Sequence, residues 1–117
     1  MSYVDGFLLA LPKDKIEEYK KISRIAGEVW KEFGALEYVE CIADDVPYGE
    51  LTSFPRAVQA KDNETVVFSW IVYQSRQQRD EVVAKVMADP RLKASMSDVP
   101  FDGKRMIFGG FETLLKM

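Results

Sequence analysis

The nine residues TVVFSWIVY, positions 65 to 73, constrain this chain more than any other stretch. β-Branched and aromatic side chains crowd it, the composition of a strand. Side chains alternate between the two faces of a strand, so Val66, Phe68, Trp70 and Val72 form one face and Val67, Ser69, Ile71 and Tyr73 the other. Both faces are apolar. Burying one large apolar side chain is worth about 1.5–3 kcal/mol, so leaving a whole face wet would be costly. Both sides of this strand need a cover.

The neighbouring segments supply one. YVDGFLLAL (3–11) is apolar on both parities, a second strand of the same kind, and Pro12 stops it. From Lys13 the period becomes helical: Ile16, Tyr19, Ile22, Ala26, Val29, Trp30 and Phe33 share one face, and Gly34 stands where a helix-ending glycine belongs. ALEYVECIA (35–43) alternates as a strand, 44–55 is a loop, and RAVQA (56–60) is read as a short added strand before the turn KDNE. After strand 65–73, Ser75 with Gln78 makes a capping box for a helix running through Val82, Val83, Val86 and Met87. Asp89 and Pro90 open a short helix, SDVPFDG is loop, and KRMIFGGFETLL (104–115) is the last strand. Its Gly109–Gly110 pair marks a bulge or a close backbone approach.

Strand, helix, strand, repeated once, is the ferredoxin-like βαββαβ plan: an α+β fold with a four-stranded antiparallel sheet and both helices on one face. Residues 1–117 form one domain. The other sheet face has no helix left to cover it, so the expectation is a homodimer closing face to face into a barrel. The interior between the two sheets is then the expected ligand cavity.

Composition excludes several functions. With 16 Lys and Arg against 19 Asp and Glu the net charge is −3, which disfavours nucleic acid and an anionic membrane surface. No apolar run approaches the roughly 20 residues of a membrane span, and the start, MSYVDGF, lacks the look of a secretory signal. A single cysteine, Cys41, rules out an internal disulfide and suits the cytoplasm. The absence of histidine removes the usual general base and a histidine haem ligand, and one cysteine removes thiolate zinc sites. No cofactor and no metal are therefore expected; Asp44, Asp45 and Glu50 are read as a solvated acidic turn.

The segments YVDGF, GALEYVEC, DDVPYGELTSFPRAV, VVFSWIVYQSRQQRD, KVMADPR and PFDGKRMIFGGFE, in this order, resemble the YbaA-like family of bacterial proteins. The resemblance covers essentially the whole chain. It implies membership of the dimeric α+β barrel superfamily, whose better-known branches include cofactor-independent monooxygenases, muconolactone isomerases and haem-handling proteins. It transfers no catalytic residue, and the histidine of many haem-handling branches has no counterpart here.

Charges embedded in strands are the first site candidates, because a buried charge must be paired or used. These are Asp5, Glu37, Glu40, Arg105 and Glu112. Strands one and four are neighbours in this plan, so Asp5 is expected to meet Arg105 or Glu112. That contact is either a perturbed carboxylate able to act as a base or, the plainer reading, a structural ion pair. Trp70 and Tyr73 are candidates for lining the cavity, against the plainer reading as core. Arg76 and Arg79 are weighed as an anion site against a solvated helical face, and Cys41 is read as a small buried apolar residue. Arg56, in LTSFPRAV, is read as part of an arm that clasps the partner subunit, pairing a carboxylate across the interface or on an acidic ligand.

The candidate ligand-binding set is therefore Asp5, Arg56, Trp70, Tyr73, Arg105 and Glu112. The functional expectation is a binder of a small aromatic or acidic molecule, held in the cavity between helices and sheets. Three alternatives stand beside it: a structural or regulatory dimer, a cofactor-independent monooxygenase or isomerase, and an RNA-binding module. The third strand lacks the basic-glycine-aromatic signature that RNA binding would need.

Overall fold

A computed structural model describes every residue from Met1 to Met117. Four strands appear: β1 (Tyr3–Pro12), β2 (Glu37–Ile42), β3 (Glu64–Tyr73) and β4 (Ile107–Glu112). They form one antiparallel sheet in the order β2-β3-β1-β4. The helices are α1 (Ile16–Glu32), α2 (Phe54–Ala57), α3 (Arg76–Ala88) and α4 (Pro90–Ser95). The split βαβ plan is present, and α1, α3 and α4 lie on one sheet face.

Local chemistry sets the boundaries. The Ser75 hydroxyl accepts from the Gln78 N–H at 3.1 Å, and the Gln78 side chain accepts from the Gln74 N–H at 2.6 Å, closing the cap of α3. Asp89 accepts from the Arg91 N–H at 2.8 Å to start α4. Past the end of α1, Gly34 adopts φ +119°, which L side chains rarely tolerate.

Pairing decides which parity faces the helices. Tyr73, Ile71, Ser69 and Val67 stand level with Tyr3, Asp5, Phe7 and Leu9. Tyr3, Ile71 and Tyr73 pack with Val29, Val82 and Val86 from α1 and α3, while Leu9 and Val67 pack against Ile16 and Tyr19. Val66, Phe68, Trp70 and Val72 face away. Phe68 is 43% exposed there, and Phe111 on β4, level with Val4, is 64% exposed.

Two expectations about this open face change. RAVQA is not a strand: Ser53 accepts from the Arg56 N–H at 3.1 Å and caps the single turn α2, with Pro55 in its first turn. A serine cap followed by proline favours a helical start over a strand. The turn folds onto the chain's own sheet, where Val58 is buried with Ala10 and Val66, and Phe54 meets Phe68 edge-on at 5.8 Å. Cys41 is exposed, not buried, because β2 is an edge strand and Cys41 lies level with Phe68 on the open face.

Candidate functional site

The covered face holds polar groups where packing alone would want apolar ones. Asp5, Ser69 and Glu40 lie on the parity that faces the helices, with Glu40 level with Ser69 and Ser69 level with Phe7. Above them the helices stand clear of the sheet, leaving a cavity of about 570 Å³ with mostly apolar walls. Its roof includes Ile22 and Trp30 from α1 and Val83 and Met87 from α3. The cavity lies within a single chain, between helices and sheet, where the small-molecule site was expected.

At one end stands Asp5, whose side chain is 13% exposed. Arg79 Nε lies 3.2 Å from Asp5 Oδ1 but has no hydrogen-bond acceptor in line. The same guanidinium donates to the Tyr3 hydroxyl at 3.1 Å and to Asp80 at 2.9 Å. Burial pushes the Asp5 carboxyl above its ordinary value, and the Arg79 charge only partly opposes this. Beneath it Tyr73 is fully buried, its hydroxyl accepting from the Trp30 indole N–H at 3.0 Å. Burial, reinforced by the Asp5 charge, raises the Tyr73 hydroxyl well above its ordinary range.

At the other end Glu40 receives two phenols: Tyr19 donates to Oε1 at 2.7 Å and Tyr38 to Oε2 at 2.8 Å. Burial first, and the Glu40 charge second, raise both hydroxyls far above the ordinary phenol. They stay protonated and stay donors. Tyr38 reaches this position because α1 passes close over β2 at Gly27, where a Cβ would stand 2.9 Å from the Tyr38 ring.

The other charged candidates lie elsewhere. Arg105 precedes β4 in a 3₁₀ turn and binds Glu64 with two bonds of 2.8 Å, with further bonds to Asp102 and the Gln59 carbonyl. Asp5 therefore meets neither Arg105 nor Glu112; helix α3 brings Arg79 to it instead. Glu112 is exposed at the end of β4, level with Tyr3. Trp70 points to the open face, its indole N–H 3.3 Å from Glu37. Arg56 donates to the carbonyls of Tyr48 and Gly49 at 2.9 and 3.0 Å and lies 3.8 Å over the Tyr48 ring, so within the chain it holds a loop rather than a carboxylate. Asp44, Asp45 and Glu50 do not converge, and no group of three or more acidic or cysteine side chains is placed to share a metal ion.

Of the residues that shape the cavity, Tyr19 and Trp30 read in the sequence as the apolar face of a helix, and Tyr38 and Ser69 as ordinary strand positions. The signal was present: Asp5, Ser69 and Glu40 break otherwise apolar runs on what proves to be one common face.

This is a ferredoxin-like α+β domain with a mostly apolar pocket between its helices and its sheet. The chain belongs to the family described as "Protein of unknown function (DUF1428)", whose model matches residues 2–103. It is 53% identical over 115 residues to a protein called YbaA of Escherichia coli (strain K12), covering 98% of each chain. Among solved structures it resembles a NIPSNAP domain protein from Burkholderia xenovorans (TM-score 0.60, 16% identity, covering 95% of this chain and 93% of that one). It also resembles a protein from an uncultured marine organism described as a dimeric ferredoxin-like protein (TM-score 0.57, 10% identity, 100% of each chain covered). A third, from Nitrosomonas europaea, is provisionally described as an antibiotic biosynthesis monooxygenase (TM-score 0.58, 15% identity, covering 97% of this chain and 90% of that one). These structural likenesses define the fold. No helix is long and apolar enough to cross a membrane.

Proposed function

We propose that the protein binds a small, mostly apolar molecule, with an aromatic part, in the cavity between α1, α3 and the sheet. The observation that carries this is the coincidence of space and chemistry. A cavity of about 570 Å³ falls in the range of small-molecule pockets, roughly 300–1,000 Å³. Its walls are apolar, with few polar groups: Asp5 and Arg79 at one end, Ser69 and Glu40 towards the other. A purely structural dimer would gain by filling this cleft with side chains, since an unfilled apolar space forfeits packing contacts. Native mass spectrometry of freshly purified protein tests the reading. The expected result is a retained mass of a few hundred daltons per chain, or a specific mass shift when small aromatic compounds are added. Bare protein that takes up none of them would overturn it.

A catalytic version of this reading is favoured by one observation: the Asp5 carboxyl sits on the cavity floor with its pKa raised, as a cofactor-free proton acceptor would need. Loss of turnover, but not of binding, in Asp5→Asn supports it; unchanged turnover removes it.

The open sheet face is proposed to be the contact of a homodimer. Its apolar side chains and the absence of Lys or Arg on the strand positions that face outward fit a second copy better than RNA. One structural relative is described as dimeric, which agrees. A single free cysteine, Cys41, fits a reducing cytoplasm.

A further inference from the structure

We propose that the cavity ligand is a cation, an ammonium-type group on an apolar or aromatic frame, and that Glu40 receives its charge. This rests on the cavity being a binding site and names the chemical class it takes. Glu40 is half-buried on the wall of the cavity, and a carboxylate drawn partly out of water is favoured by a countercharge or a full set of donors. Asp5 has Arg79. Glu40 has only two phenols, one on each oxygen, leaving lone pairs free on both. Every ion pair in the chain lies elsewhere, at Glu18, Asp80, Asp5, Glu32, Asp89, Glu64 and Asp102.

The charged groups around Glu40 do not fill the gap. Lys20, Arg24 and Lys31 of α1 line a neighbouring groove that Glu40 also borders, but none comes within ion-pair range of it, and Lys93 of α4 is an exposed residue lining the cavity. The surroundings suit a cation in a second way. Tyr19 meets Phe101 edge-on at 5.8 Å, and Trp30 meets Tyr38 at 6.1 Å, so electron-rich rings border the same end of the cavity. Ring faces attract cations, the more so away from water. Ser69, level with Glu40 and 6% exposed, adds a hydroxyl able to accept from the same N–H group. An anionic ligand would meet the opposite arrangement at this end.

Three probes of nearly equal size separate charge from fit: 2-phenylethylammonium, 3-phenylpropan-1-ol and 3-phenylpropanoate. Binding to the intact protein is read by calorimetry and by the Trp30 indole N–H resonance, which reports the cavity. The ammonium compound is expected to bind about tenfold or more tightly than the other two. Glu40→Gln, which keeps the side-chain shape, is expected to bring ammonium and alcohol to similar affinity. The probe series on the unmodified protein stands even where that variant folds poorly. Equal binding of all three overturns the charge assignment and leaves the cavity reading intact, as does tighter binding of the carboxylate. No binding of any probe at millimolar concentration overturns both. A well-folded Glu40→Gln that keeps the ammonium preference overturns the role of Glu40.

Discussion

Arg105 grips Glu64 through both arms of its guanidinium, each bond 2.8 Å, and ties the turn before β4 to the first residue of β3. The Glu64 side chain is 5% exposed, and the paired fork holds its carboxyl at about 2, below the ordinary 4.5. A folded-state pKa below the unfolded one means stability that is present above about 4.5 and lost as pH falls toward 2. Thermal melts should show Glu64→Gln several degrees below the parent at neutral pH. The difference should shrink steadily across that acid window. A gap that stays constant with pH would mean that the pair's charge contributes nothing.

Asp5 should behave in the opposite sense. Its folded pKa is raised, so the stability it contributes is complete below its ordinary value of 3.8 and is lost as pH rises through the folded value. Carbon-detected NMR titration should find the Asp5 carboxyl titrating above 3.8. Asp5→Asn should gain on the parent as pH rises from the acid range. A midpoint at or below the ordinary value would mean that Arg79 outweighs burial.

Gly110 marks the close approach foreseen in the last strand. A Cβ there would strike Arg79 and the Tyr3 hydroxyl and stand 2.7 Å from the Tyr3 ring, whereas at Gly109 the nearest contact is 3.6 Å from Phe111. Gly110→Ala should cost about 1–3 kcal/mol, the range of an overpacked core, and loosen Arg79 from Asp5. Gly109→Ala should cost clearly less. Urea denaturation of the two variants side by side checks the order.

The two faces of β3 should respond differently to the same insult. Ile71 is 3% exposed in the core, and Ile71→Asp should unfold the chain, at 3 kcal/mol or more by the usual measure of a buried unpaired charge, roughly. Phe68 and Phe111 lie on the open face, so Phe68→Asp and Phe111→Asp should leave a folded monomer. Sedimentation velocity with circular dichroism reads both properties. A parent protein that is monomeric at micromolar concentration would remove the proposed interface.

The two βαβ halves, the caps at Ser75 and Asp89, and the glycine after α1 were legible in the residues, because periodicity and capping are local properties of the chain. So was the apolar character of both sides of β3. Which parity met the helices was not legible, since both were apolar and a strand's period of two distinguishes faces without ranking them. Only pairing and helix packing decided that Ser69 and Ile71 turn inward while Phe68 and Trp70 turn outward. The same holds for partners. Arg105 finds Glu64, Arg79 finds Asp5, and Glu40 finds two phenols because contacts between distant residues depend on register and on the angle at which α1 and α3 cross the sheet. The pocket is of this kind too: apolar composition states how much can be buried, but a void arises only from how far the helices stand above the strands.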